Sequence, residues 1–459
     1  THEQVNGRVS RIAEMKVLRA HYYFELSRLF NKIPYFDENV EISQYPDIPN
    51  NEFTRDEILS MLAKEMLDAA ELLPASQSEV GRIHKYIALA YAAKIKLYQA
   101  YQQDETTHAV TSINKELLRE VVSLCDQVTA SNRYGLLDDF QGLDLVANEN
   151  GKESVFAIQY SMNDGTESAG RINWSNLLNS PGGGSPYGGD GFFLPSQDLI
   201  NAYQTDANGL PDFNYQSKSD YSWAVLNNGV YTLQNTTPNV DPRLDFVVGR
   251  PTITWKTYPD KPCEGWVRDK ETYGYNCAKR FWVSPESSDM FNGWPWGASQ
   301  LNWQIIRYAD ILLWKAEALI ELNEGDGLET ARDLINQIRN RARNSAYVKD
   351  FNDHSKYAAN YLVNPYPADV WNQDYARQAL RWETRLEKAL EGERFFDLVR
   401  WGIVETTMNK YITAESDNRI YYANAHFTGG KDEYYPVPNN QYGFSGGKYV
   451  QNPGYAPFN

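Results

Sequence analysis

Cysteine is nearly absent from this 459-residue chain, which holds only Cys125, Cys263 and Cys277. Three thiols exclude a disulfide-built scaffold. Cys263 and Cys277 lie close enough in sequence for one optional bridge in an oxidising compartment, and that pairing stays open. Cys125 sits in a helical apolar pattern and reads as a small buried hydrophobe, not a nucleophile. Positive charge is also short: 44 Lys and Arg stand against 60 Asp and Glu, a formal net charge of -16. That balance disfavours a nucleic-acid groove, which needs clustered cations. No apolar run approaches the roughly 18 residues of a membrane-spanning helix.

The usual chemical signatures are missing too. The histidines (His2, His21, His84, His108, His354, His426) are scattered, with no HExxH or paired metal spacing. His21, between helical neighbours, reads as structural. No G-x-S-x-G elbow occurs. The run from Gly182 to Gly189 lacks the Lys-Ser or Lys-Thr of a phosphate loop and reads as a flexible surface loop. Asp206-x-Asn208-x-x-x-Asp212 lacks the glutamate of a calcium loop. No catalytic residue, metal ligand or cofactor is therefore expected.

What remains is helical punctuation and an uneven store of aromatics. Residues 1–133 predict a helical block. Ile12, Met15, Leu18, Tyr22, Leu26 and Leu29 recur at three- and four-residue steps from Arg8 to Phe30. Thr54 with Glu57 predicts a capped start for a helix running to Leu73. Further helices are expected over Gly81 to Tyr101 and Lys115 to Ala130. Residues 134–300 carry most of the glycine and proline and read as long loops. A few short strands are expected there, at Ser154 to Tyr160 and Phe246 to Val248, with one or two short helices near Ser196 to Tyr203. Residues 301–402 return to helices, over Asn302 to Asn323, Leu328 to Arg343, Tyr375 to Glu391 and Glu393 to Trp401. Residues 403–459 read as a loop-rich tail. The fold class expected is mostly α: stacked antiparallel helical pairs with a long irregular region.

Tryptophan does not occur in the first 173 residues, whereas eight of the twelve lie between Trp174 and Trp303, in the loop region. Flat rings on loops suit a binding face. A sugar offers an apolar C–H face to an indole and hydroxyls to Asp, Asn or Gln. Trp282, Trp294 and Trp296 are the leading stacking candidates, with Asp289, Asn292 and Gln300 for hydroxyl contacts. Trp174, Tyr187 and Tyr215 complete the candidate platform. The opposing reading is that the rings plug a small core of their own. Near the end, Arg377, Arg381, Glu383, Arg385, Glu387, Glu391, Glu393, Arg394 and Asp397 crowd together. Like charges four apart (Arg381/Arg385, Glu383/Glu387) argue against simple surface pairing and for cross-helix ion pairs, with Arg307 and Asp310 as distant partners.

Four segments resemble the SusD/RagB family. They are Leu18-Arg19-Ala20-His21-Tyr22-Tyr23-Phe24, Arg307-Tyr308-Ala309-Asp310-Ile311-Leu312-Leu313, Arg381-Trp382-Glu383-Thr384-Arg385 continuing to Gly402, and Tyr435-Pro436-Val437-Pro438. The resemblance implies one SusD-like domain over 1–459, with a tetratricopeptide-like helical scaffold. It implies an outer-membrane, cell-surface protein held by an N-terminal lipid that would lie ahead of Thr1. It implies glycan cargo (oligosaccharide or polysaccharide), delivered without chemistry to a SusC-like TonB-dependent transporter. Capture of peptides by a RagB-like relative is the alternative. A glycoside hydrolase, which would need two facing carboxylates, is the third reading.

Overall fold

The computed structural model describes all residues except 1, 167–169, 175–177, 183, 223, 228–229, 234–237, 259–264, 295 and 459. Helices α1 (His2–Phe30), α2 (Arg55–Leu72), α3 (Lys85–Ala100) and α4 (Lys115–Ala130) form the first block, with the hairpin β1 (Tyr101–Gln103) and β2 (Val110–Ile113) between α3 and α4. The central region holds β3 (Ser154–Ile158), α5 (Gln197–Ala202), β4 (Ala224–Asn227), β5 (Val230–Leu233), α6 (Arg243–Val247), β6 (Val248–Gly249), α7 (Lys270–Tyr273), β7 (Cys277–Ala278) and β8 (Trp303–Arg307). Helices α8 (Tyr308–Leu322), α9 (Gly327–Asn344), α10 (Gln373–Glu387), α11 (Arg394–Arg400), α12 (Val404–Ser416) and α13 (Asn439–Phe444) complete the chain. Consecutive helices α1 to α4 pack side by side, α4 packs on α8, and α8 on α9 and α10. The molecule is thus mostly helical, with stacked helical pairs and short two-stranded ribbons. Among the described residues, no helix is long and apolar enough to cross a membrane.

Local chemistry explains most boundaries. Thr54 Oγ1 accepts from Glu57 N while Glu57 returns a bond to Thr54 N, the capping box expected. Asn114 and Asn372 cap α4 and α10 through their side-chain oxygens. Helix α10 ends at Glu387, short of the expected Glu391, because Leu390 and Gly392 take positive φ. Helix α3 starts at Lys85, after Gly81 with φ +79°.

Four expectations are corrected. The buried face of α1 is Ala13, Val17, Ala20 and Phe24, while Ile12, Met15 and Tyr22 are exposed. Small residues let α2 approach closely, so the alanine stripe outcompetes the larger apolar one. Trp303 to Arg307 is strand β8, not the start of a helix, because β3 pairs with it antiparallel. Phe246 and Val247 end helix α6, and only Val248 enters a strand. The tail is not only loop: α12 and α13 lie within it.

The centre is ionic. Arg307, where β8 meets α8, donates from Nη1 to Glu153 (2.7 Å) and Glu387 (3.1 Å), and from Nη2 to Glu391 (2.7 Å). Its backbone N–H bonds Asp310, whose carboxylate also meets Lys388 at 2.7 Å. Glu387 further binds Arg341 and Arg243, and Glu383 bridges Arg243 (2.5 Å) and Arg339 (3.1 Å). All of these residues are buried. Of the crowded charges of the sequence, Glu383, Arg385, Glu387, Glu391 and Glu393 enter ion pairs with other elements, as their spacing implied, while Arg381 and Arg394 lie over the Trp401 ring. Burial alone would raise Glu387, but Arg341, Arg307 and Arg243 hold it down at about 2.

Two outcomes follow. Arg307→Ala leaves three buried carboxylates without their shared partner and is expected to cost about 3–5 kcal/mol in denaturant unfolding; a loss below about 1 kcal/mol would refute the central role. Glu387 ionises more readily folded (about 2) than unfolded (4.5). Its contribution is therefore complete above the unfolded value and lost as pH falls through the folded one, so stability should drop between about pH 5 and pH 2. Glu387→Gln should flatten that acid limb.

Candidate functional site

The aromatic loop is a short ribbon. Met290 and Ser299 form an antiparallel bridge, and Phe291 N bonds Ala298 O at 2.8 Å. This closure carries Trp294 (65% exposed) and Trp296 (51% exposed) at the tip. The ribbon leans on the glycine-rich loop. A Cβ on Gly188 would lie 3.2 Å from the Cβ of Trp296, and one on Gly297 would lie 3.0 Å from Tyr187 O and Ser180 Oγ. The glycine run is not a loose surface loop. Phe192 N bonds Leu178 O, Gly191 N bonds Ser180 O, and Gly189 N bonds Pro181 O, each at 3.0 Å. A Cβ on Gly189 would fall 1.9 Å from Ser180 Oγ, so no other residue fits this crossing. Asn173 N bonds Ser299 O at 2.9 Å, which brings the exposed Trp174 beside the ribbon's base. Leu178 and Phe192, unnoticed in the sequence, are also exposed here. Only the glycine run between them marks their position in the sequence.

The other candidate rings serve the interior. Trp282 is 1% exposed, Tyr187 fully buried and Tyr215 3% exposed. They present no face for stacking, which corrects their assignment to the platform. Tyr187 donates to Val283 O (2.6 Å) and accepts from Trp255 Nε1 (2.8 Å), within a small core of Trp255, Trp266, Phe281 and Trp282. Tyr215 donates to Asp198 and receives Arg385. Sequence position alone does not separate these from Trp294 and Trp296, since all lie in glycine-rich loop. Among the polar candidates, Gln300 donates to Asp289 at 2.7 Å and accepts from Met162 N, while Asn292 is exposed. Asp289 and Gln300 thus brace the ribbon stem.

Beneath the stem lies a cleft of about 830 Å³ that sequence reasoning missed. Asp139, Gln141, Lys152, Thr257, Glu286 and Asp289 are among its walls. Thr257 Oγ1 donates to Glu286 at 2.6 Å, and Ser284 donates to the same carboxylate at 2.8 Å. Segments distant in sequence build it, so only the fold assembles it. Cations near the rings are paired: Arg268 with Asp190 at 2.8 Å, and Arg171 with Asp164 at 3.2 Å.

The remaining candidates are structural. Among the described residues, no group of three His, Cys, Asp or Glu is placed to hold a metal. Asp206 accepts from Asn208 N and Leu210 N, closing a turn. His21 Nδ1 meets Tyr91 Oη at 2.7 Å. Cys125 is fully buried, and burial pushes its thiol up to about 12. Cys277 is buried in β7, while Cys263 lies outside the described residues, so the question of their bridge stays where the sequence left it.

The SusD family model matches residues 152–455. A SusD-like protein of Bacteroides ovatus is 22% identical over 423 residues, covering 87% of this chain and 61% of its own length. The chain thus spans less than two thirds of that curated relative. A SusD-like carbohydrate-binding protein from Bacteroides fragilis superposes with a TM-score of 0.67 at 21% identity, over 96% of this chain and 79% of the other. Surface glycan-binding protein A from Bacteroides thetaiotaomicron, solved with laminarihexaose, gives 0.61 at 17% identity, over 97% and 79%. At these identities the likeness to the solved structures is one of fold.

One titration marks the stem. Burial pushes the Glu149 carboxyl up to about 7, against the bond from Asn302 N and with help from Asp289. Its folded value lies above the unfolded 4.5, so ionisation opposes folding as pH rises through about 7. An NMR titration should place the Glu149 midpoint near 7, and amide exchange around Asp289 and Asn302, once corrected for intrinsic rates, should quicken as pH rises from about 4.5 to about 7 and level off beyond. A midpoint close to 4.5 would remove Glu149 from this role.

Proposed function

The chain belongs to the SusD family, and we propose that it captures glycans on the cell surface without altering them. Trp294 and Trp296, with Trp174, are the stacking rings; the exposure of two indoles on a ribbon locked to its neighbours is the observation that supports this. Exposed aromatics held rigidly lose little entropy on binding and offer an apolar face to a pyranose. Asn292 and the polar walls of the cleft supply hydroxyl partners. The laminarihexaose complex of the Bacteroides thetaiotaomicron protein gives a precedent on this fold.

In this proposal the described helices form a tetratricopeptide-like scaffold within one SusD-like domain over 1–459. A lipid ahead of Thr1 tethers it to the outer membrane, and a SusC-like TonB-dependent transporter receives the cargo. A second reading, capture of peptide, is favoured by the carboxylates of the 830 Å³ cleft, which suit a chain bearing Lys or Arg.

Affinity gels with neutral polysaccharides test the first reading. Trp294→Ala and Trp296→Ala are expected to lose about tenfold in retention each, the equivalent of roughly 1.4 kcal/mol. Their melting temperatures should stay within a few degrees of the parent, as exposed substitutions change stability by only about 0.5 kcal/mol. Unchanged retention after removing both indoles would overturn the platform. Release of reducing sugar would overturn the non-enzymatic reading, and retention of basic peptides in place of glycans would favour the second.

A further inference from the structure

A cavity of about 390 Å³ opens where the turn ahead of α3 faces the end of α4 and the start of β3. Lys152 lines both this cavity and the cleft beneath the ribbon, so the two adjoin. Their charges differ. Five carboxylates (Asp138, Asp139, Asp144, Glu286, Asp289) and three lysines line the cleft. One carboxylate, Glu79, and three cations, Arg82, Arg133 and Lys152, line the cavity. In a chain of net charge -16, that wall is a local inversion of sign.

The wall is built, and its cations are not all paired. Gly81 takes φ +79°, and a Cβ there would fall 2.5 Å from Gln159 Cγ, so the turn lies flat on that side chain. Gln159 in turn exchanges two bonds with Asn150, at 2.9 and 3.0 Å. Arg82 is fixed by Glu79 (2.8 Å) and by Glu14. Lys152 meets Asp138 at 2.8 Å, but the Asp138 side chain is 99% exposed, and a pair of that kind is worth little in water. Arg133 is exposed and hydrogen-bonds the Tyr134 phenol; among the described residues no carboxylate pairs with it. Burial, aided by the Arg133 charge, lowers His84 on the same wall to about 4, so its imidazole is neutral at pH 7. The first turn of α3 carries no carboxylate to offset these charges.

We propose that this cavity receives the anionic group of an acidic sugar, a carboxylate or a sulfate ester. The inference rests on the glycan reading above and narrows its cargo to chains that bear isolated negative charges. Arg133 offers a planar fork of donors and Lys152 a point charge, from segments that meet only in the fold. A carboxylate or sulfate engages both, and Asp138 is released to water. A neutral sugar leaves the Arg133 charge unanswered. A cation meets three like charges and one carboxylate that Arg82 already holds. A dense polyanion is repelled by the chain as a whole, whose net charge is -16. The volume lies within the range of small-ligand sites, about 300–1,000 Å³. Lys152 sets the cavity beside the cleft that the glycan reading already uses.

Calorimetry on the full chain at low salt tests this with glucuronate and glucose 6-sulfate as the carboxylate and the sulfate ester, against glucose. Saturable binding of one or both charged sugars is expected, without binding of glucose; which one binds tells the two anions apart. Binding should weaken several-fold between about 20 and about 200 mM salt, as screening of exposed cations requires. Arg133→Gln should weaken it about tenfold or more, as loss of a charge-assisted bond does. The melting temperature should hold, since Arg133 is exposed, and Arg133→Lys should recover part of the binding. On affinity gels the parent should retain on partly methylated pectin, or on κ-carrageenan if only the sulfate ester binds, more strongly than on a neutral polysaccharide. Arg133→Gln should erase that excess and keep the neutral retention. No saturable binding of either charged sugar, equal binding of glucose, or unchanged binding in Arg133→Gln would each overturn the site and leave retention on neutral gels standing. Binding of a charged monosaccharide without retention on any gel would instead overturn glycan capture and leave the anion site in place.

Discussion

Arg307 holds the molecule's parts in one arrangement. Its guanidinium joins Glu153 next to β3, Glu387 on α10 and Glu391 beyond it, so the irregular region and the C-terminal helices meet at a single planar group. Burying such a group is expensive unless every donor is met, and here each nitrogen has a carboxylate or carbonyl. An apolar cluster of equal volume would pack as tightly but would tolerate sliding. The network does not, because any shift of α10 against β8 strands charge in a dry interior. Its value lies in fixing register more than in net stability.

On that frame three apolar clusters divide the work, one of them gathered around Phe140, Ile200, Tyr203, Leu244 and Val247. The helical core runs from Ala13 through α8 and α9 to Tyr434 in the tail, and α3 and α8 within it are buried on nearly every side. A separate aromatic core of Tyr187, Trp255, Trp266 and Trp282 stiffens the loop region. Edge-to-face rings at 5.0–6.1 Å and the Tyr187 hydroxyl replace the regular backbone ladders that long loops lack. That aromatic core is why a stretch so rich in glycine still presents rings at fixed places.

How much of this was legible follows from what kind of force set each feature. The capping box of Thr54 and Glu57 is written in neighbouring residues, and that helix start was readable; the caps at Asn114 and Asn372 were not singled out, although the helix at Lys115 was placed. The charge crowding from Arg377 to Asp397 was readable as a network, because same-helix pairing could not satisfy it. The α1 face was not: hydrophobicity favoured Ile12 and Met15, whereas close packing favoured Ala13 and Ala20, and size complementarity depends on the partner. β8 was missed because Trp303 to Arg307 continues the apolar pattern of α8, and only pairing with β3 makes it extended. Among the candidate rings, Trp294 and Trp296 are exposed and Trp282, Tyr187 and Tyr215 buried, a division that was not legible in the sequence. Whether a loop ring faces inward depends on distant residues such as Val283 and Asp198, which accept the tyrosine hydroxyls.

The stem of the ribbon has a bearing on how this protein could change. Only Gln300, Leu301 and Asn302 link the bridge at Ser299 to the first residue of β8, and Asn302 is fastened to Glu149, Gln159 and Tyr160. No slack exists there, so a length change in that link would be transmitted to Arg307. Between Phe291 and Ala298, by contrast, an insertion lengthens the tip and leaves the bridge in place. Change in length is thereby channelled into the six positions between them, 292–297, and the remainder of the chain is free to stay as it is.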